Sequence, residues 1–152
     1  MQYFTRVFIA IVALFFGSCQ PKNTLQNYMA NSWQTTYLKI EMPTYQQSDS
    51  LQVFEDDFDD DTELIAQSKY HKDGTFLAWF LNKKGEKVSP SEGTWKIIGD
   101  SLYVAFFYNH RNMEVSYHIT KTKEGFLAKS KYDWDNDGKL DDLLTMKTKQ
   151  LP

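Results

Sequence analysis

The stretch GTWKIIGDSLYVAFFYNHRNMEVSYHITKTKEGFLAKSKY, residues 93–132, decides the fold class. Within it, Met113, Val115, Tyr117 and Ile119 alternate with Glu114, Ser116, His118 and Thr120. A period of two marks a strand with one face buried and the other wet. Gly99-Asp100 is a two-residue turn signal, and Lys123-Glu124-Gly125 is a second turn. Residues 94–98, 101–109, 113–122 and 126–132 therefore read as successive antiparallel strands. Upstream, 33–42 reads as a strand stopped by Pro43, and 64–71 and 75–81 flank the turn Lys72-Asp73-Gly74. Downstream, 142–148 reads as the last strand, and 51–54 as a short additional one. The chain is expected to be all-β, an antiparallel up-and-down meander of about eight strands closing into a small barrel.

Two of these strands are apolar on both sides. Phe76, Ala78 and Phe80 oppose Leu77, Trp79 and Leu81. Leu102, Val104, Phe106 and Tyr108 oppose Tyr103, Ala105 and Phe107. A small barrel needs strict in–out alternation. Double-sided strands imply outside cover, an interface, or an inner wall that meets a ligand. Phe76, Trp79, Trp95, Tyr103, Phe106 and Tyr117 are the candidates for such a wall, with plain core packing as the alternative for each.

The 152 residues suit one domain. With 20 acids against 17 cations the formal charge is −3, which argues against a nucleic-acid partner. A single Cys excludes a disulfide-stapled scaffold. A hydrophobic share of 41% and an aromatic share of 16% exclude disorder throughout.

Residues 1–18 carry one cation, Arg6, and no acid. VFIAIVALFF, residues 7–16, has the length of a signal-peptide core and is too short to cross a bilayer. Phe16-Gly17-Ser18-Cys19 follows. This arrangement resembles a bacterial lipoprotein signal with its lipobox. The resemblance implies cleavage after residue 18 and acylation of Cys19 with palmitate-type chains. It also accounts for the lone Cys, since two or more acyl chains anchor a protein stably. Residues 19–31 are expected to form a tether with a short helical turn, and 32–152 the barrel domain. Lipoprotein status implies the cell envelope of a Gram-negative bacterium. The lack of acids directly after Cys19 points to the outer membrane, on its periplasmic face.

The early Trp33 strand, the KDGTF turn at 72–76 and GTWKIIGDSLYV at 93–104 are similar to bacterial lipocalin-like domains. That resemblance implies an eight-stranded barrel, often with an apolar cavity open at one end.

Acids concentrate in two places. EDDFDDDTE, residues 55–63, repels itself and reads as a solvated loop, with presentation to a basic partner as a rival role. DWDNDGKLD, residues 133–141, has a different pattern. Asp133, Asp135, Asp137 and Asp141 fall at loop positions 1, 3, 5 and 9, and Gly138 at position 6 permits a sharp reversal. Lys139 would contribute its main-chain carbonyl, and Leu140 would point inward to pin the loop. The spacing resembles the calcium loops of EF-hands and, more closely, the DxDxDGxxD loops of integrin-type propellers. It predicts one structural calcium. Leu144 stands where an EF-hand has its bidentate Glu, so affinity is expected in the weak range, on the order of 10⁻⁴–10⁻³ M. A metal-free Asp/Asn/Gly turn is the alternative.

No GxSxG, HExxH, P-loop or GxGxxG pattern occurs, and His71, His110 and His118 sit in turns or on a polar face. The expectation is a non-enzymatic, lipid-anchored binding module for a small apolar ligand. The alternative is a filled barrel that contacts an envelope protein.

Overall fold

The computed structural model describes residues 24–59, 62–108 and 110–152. The signal segment 1–18 and Cys19 lie outside the described residues. After a short helix α1 (Thr24–Met29) come nine strands: β1 (Ser32–Met42), β2 (Gln52–Asp56), β3 (Leu64–Tyr70), β4 (Thr75–Asn82), β5 (Lys87–Ile98), β6 (Ser101–Tyr108), β7 (Arg111–Lys121), β8 (Phe126–Tyr132) and β9 (Asp142–Gln150). From β3 to β9 each strand pairs antiparallel with the next, and β9 pairs with β1 from Gln150 to Leu143. β1 also pairs with β3 through Ser32, Trp33 and Gln34. Eight strands thus close into an antiparallel barrel, the all-β architecture expected from the alternation. β2 lies outside this ring as a flap on β1, where Leu38–Met42 face Asp56–Gln52.

The turns explain the register. Gly74 and Gly99 adopt φ of +87° and +64°, conformations open to glycine at little cost. In the 71–75 turn, His71 N donates to Thr75 O and Gly74 N donates to His71 O. Once register is set, every second residue enters the lumen. Trp95 faces Val104, Gly93 faces Phe106, and Leu102 faces Tyr117. Gly93 also marks a close approach, since a Cβ there would fall on the carbonyl of Ala105.

Two irregularities shift the alternation. β1 bulges between Thr35 and Tyr37, so Trp33 and Thr35 point inward, followed by Leu38 and Ile40. β5 begins at Lys87, well before residue 94, because a bulge opposite Ala78–Phe80 absorbs Ser89 (φ +49°) and Pro90. Proline removes a ladder donor, and a bulge is one of the few sheet positions that tolerates it.

The floor of the barrel holds its most deeply buried side chains. Met29 and Trp33 are fully buried, with Phe126, Leu102 and Ala128 around them. The Trp33 and Phe126 rings meet edge-on at 4.9 Å. α1 closes this end. Trp33 Nε1 donates to Met29 O at 3.0 Å, and Tyr28 donates its hydroxyl to Gly125 O. The expected helical turn after the tether is therefore the plug of the barrel.

Candidate functional site

Above the floor the lumen is not filled. A cavity of about 280 Å³ extends from the level of Tyr70, Phe76 and Tyr117 to the end of the barrel opposite α1. Leu38, Ile40, Phe80, Phe106, Leu144 and Met146 provide much of its wall. Phe58, Tyr108 and Trp134 stand at its mouth, where Tyr108 is 49% exposed. The volume lies just under the ~300–1,000 Å³ usual for drug-sized ligands, so it suits a small one.

The six aromatic candidates divide. Phe76, Phe106 and Tyr117 line the cavity. Trp79 borders it from β4, but register places its ring on the outer face beside Gln67. There its Nε1 donates to Gln67 Oε1 at 3.1 Å, and Lys87 Nζ stands 3.7 Å from the ring centroid. Trp95 is buried in the floor, where its Nε1 donates to His71 O at 2.8 Å. Tyr103 is on the outer face of β6, exposed, with Lys96 over its ring. Trp95 and Tyr103 are thus corrected from cavity wall to floor and outer surface. For Tyr103 the reason is parity: Leu102, Val104 and Phe106 take the inward positions of β6.

The 133–141 loop forms the rim. Asp133 Oδ1 and Asp135 Oδ1 both accept the N–H of Asp137, at 3.0 Å each, and Asp133 Oδ2 accepts that of Gly138 at 3.2 Å. Gly138 takes φ of +90°, the reversal expected of loop position 6. Asp137 Oδ1 accepts the N–H of Lys139, which is exposed. The segment after β1 closes over the loop. Thr44 Oγ1 donates to Asp137 Oδ2 at 3.0 Å and to Asp141 Oδ2 at 3.3 Å, and Gln46 N donates to Asp135 Oδ2 at 3.1 Å. Arg111 donates from Nη1 to Asn136 Oδ1 and from Nη2 to Asp133 O.

The carboxylates that converge are only in part those expected from loop spacing: Asp133 and Asp135 are among them, Asp137 and Asp141 are not. Asp133, Asp135 and Asp142 each place an oxygen within 4.8 Å of the others. Asp142, the first residue of β9, is 1% exposed. Burial pushes its carboxyl above the usual range. The N–H groups of Asp135 and Trp134 oppose that shift, and the charges of Asp135 and Asp141 add to it. Asp137 and Asp141 turn instead to Thr44. Leu140 is corrected too: it is 67% exposed and does not point inward. Leu144 lines the cavity, which explains why no acid occupies that position.

The donors are hard oxygens, a set that could hold a metal ion. Three carboxylates crowd together, and Asp141 Oδ1 is buried with no hydrogen-bond partner. Such a cluster lowers its repulsion by taking a divalent cation.

Residues 55–63 are only partly a loop. Glu55 and Asp56 belong to β2, and Glu55 Oε1 accepts the Tyr37 hydroxyl at 2.6 Å. Phe58, the one apolar residue of the run, turns to the cavity with φ of +50°. Its isolation among acids was the available signal for a buried role. Comparison with protein-family models, curated proteins and solved structures finds no match.

Proposed function

We propose that this protein is a lipid-anchored binding module of the cell envelope that holds a small apolar molecule in its barrel lumen. The observation that carries the reading is the apolar cavity beneath a mouth of Phe58, Tyr108 and Trp134. Acylated Cys19 would tether the chain at the outer membrane, facing the periplasm. α1 plugs the floor, so the chain leaves the barrel at the end opposite the mouth. Four residues, 20–23, lie between Cys19 and Thr24, a reach of at most about 17 Å over five steps. The floor would then face the lipid and the mouth the aqueous space.

Calcium is the second part of this proposal. Bound by Asp133, Asp135 and Asp142, it would neutralise the rim and stiffen the loop that carries Trp134. Its role there is structural, and no reaction chemistry is assigned to this protein.

Titration with the neutral fluorescent probe N-phenyl-1-naphthylamine tests the lumen. Saturable one-to-one uptake is expected, and no uptake removes the reading. Thermal unfolding in EDTA, then in millimolar calcium or magnesium, tests the metal. A calcium-selective rise is expected, about 2.7 kcal/mol at a hundred times Kd, and identical melts would reduce the loop to a turn.

A second reading has its own observation. β2 pairs with β1 along one edge and, among the described residues, with no strand along the other, and Leu51, Val53 and Phe54 are exposed. An unpaired strand edge with apolar side chains is a site for strand addition by an envelope protein. Periplasmic cross-linking from Val53 would capture that partner, and a Val53→Lys variant would lose it.

A further inference from the structure

This inference rests on the lumen being a binding site and concerns which molecules it admits. Among the described residues, none of those lining the cavity is Asp, Glu, Lys, Arg or His. An ionised ligand group would therefore leave water without finding a counter-charge, which is strongly unfavourable in an apolar interior. An anion has a further obstacle. As long as no cation neutralises them, Asp133, Asp135 and Asp142 at the rim repel its approach as well.

The wall is nevertheless not purely apolar. Ser68, Tyr70 and Tyr117 contribute hydroxyl-bearing side chains to it. Tyr70 and Ser68, two residues apart on β3, both face the cavity. Tyr117 comes from β7, on the opposite wall, and its hydroxyl lies within electrostatic reach of those of Tyr70 and Tyr132. Burial raises the ionisation of both Tyr70 and Tyr117 far above neutrality. Each remains a neutral O–H, able to donate to a carbonyl or accept from a hydroxyl. Between the inner end and the mouth lie Leu38, Ile40, Phe80 and Phe106, which offer nothing but apolar surface.

We propose that the lumen selects an uncharged apolar molecule whose single hydroxyl or carbonyl is held by Tyr117 at the inner end, and that it rejects the carboxylate form of the same skeleton. The polar group enters first and the apolar body fills the space up to Phe58 and Trp134. Ligand class is thus set by two features, a neutral wall and the buried hydroxyl of Tyr117 with its hydroxyl neighbours, with no ion pair involved.

Three probes of one skeleton test this: naphthalene, 2-naphthol and 2-naphthoate, titrated into the protein at neutral pH. The expected result is that 2-naphthol binds roughly tenfold tighter than naphthalene, the net worth of about one hydrogen bond. 2-Naphthoate should bind at least tenfold more weakly than naphthalene. Tyr117→Phe should erase the advantage of 2-naphthol over naphthalene, and an unchanged circular-dichroism spectrum and cooperative melt show that the variant is folded. If naphthalene and 2-naphthol bind equally, the polar subsite is overturned while the lumen reading stands. If 2-naphthoate binds tightest, neutrality is overturned. If none of the three binds, the lumen reading fails and this inference falls with it.

Discussion

The carboxylate of Asp142 accepts the main-chain N–H of Trp134 at 2.6 Å. One residue of that pair belongs to the acidic rim and the other to the cavity wall. The backbone of the aspartate loop is therefore tied by a hydrogen bond to the rim carboxylate beside the mouth of the lumen. A change in the charge state of the rim acts directly on the loop that positions Trp134.

Asp142→Asn is expected to raise the melting temperature in EDTA. The amide oxygen can still accept both N–H groups, and the cost of burying a charge beside Asp135 and Asp141 disappears. The same variant should lose the calcium-induced rise. Paired melts with EDTA and calcium check both signs at once.

Filling the cavity should block uptake with little loss of stability. Ala78 lines the cavity and faces Ser68 and Ser91 across the neighbouring strands. Ala78→Leu is expected to abolish N-phenyl-1-naphthylamine binding while costing less than about 1.5 kcal/mol, because the added atoms enter empty space. Probe titration and urea unfolding measure the two effects.

The floor should be the most sensitive region. Trp33→Ala removes a fully buried ring and the bond that holds α1. A loss of about 3–5 kcal/mol is expected, together with faster proteolysis within 24–31. Gly93→Ala should also destabilise, by about 1–3 kcal/mol or more, since its Cβ meets the Ala105 carbonyl. Denaturant midpoints compare the two.

Asp73 gives a pH signature. Its Oδ1 accepts Thr75 N at 2.9 Å and Thr75 Oγ1 at 2.7 Å, and these bonds lower its pKa. Because the folded value is depressed, its stabilisation is present above the unfolded carboxylate range and lost as pH falls through the folded value. The melting-temperature gap between the native protein and Asp73→Asn should be full at pH 7 and close in strong acid. A gap independent of pH would show that Asp73 acts only through turn geometry.

Alternation and turn chemistry are local properties, and they were legible. The pattern of Met113 to Ile119 gives β7 its inward face, and Lys72-Asp73-Gly74 places a turn where β3 meets β4. The aspartate loop was legible as a loop for the same reason, since Gly138 at the point of reversal needs only a positive φ.

The order of residues alone thus determined strand identity, turn positions and the acidic character of the rim, because each depends on neighbours within a few residues. Only the tertiary structure decided which side chains share the lumen. The bulge in β1, the bulge at Ser89-Pro90 and the closure of β9 on β1 set the face of every residue beyond them. Barrel closure likewise brought Thr44 and Gln46 onto a loop some ninety residues away. It also made buried Asp142, rather than Asp137 or Asp141, the third carboxylate of the cluster. Convergence of that kind is a property of closed geometry, and no local spacing encodes it.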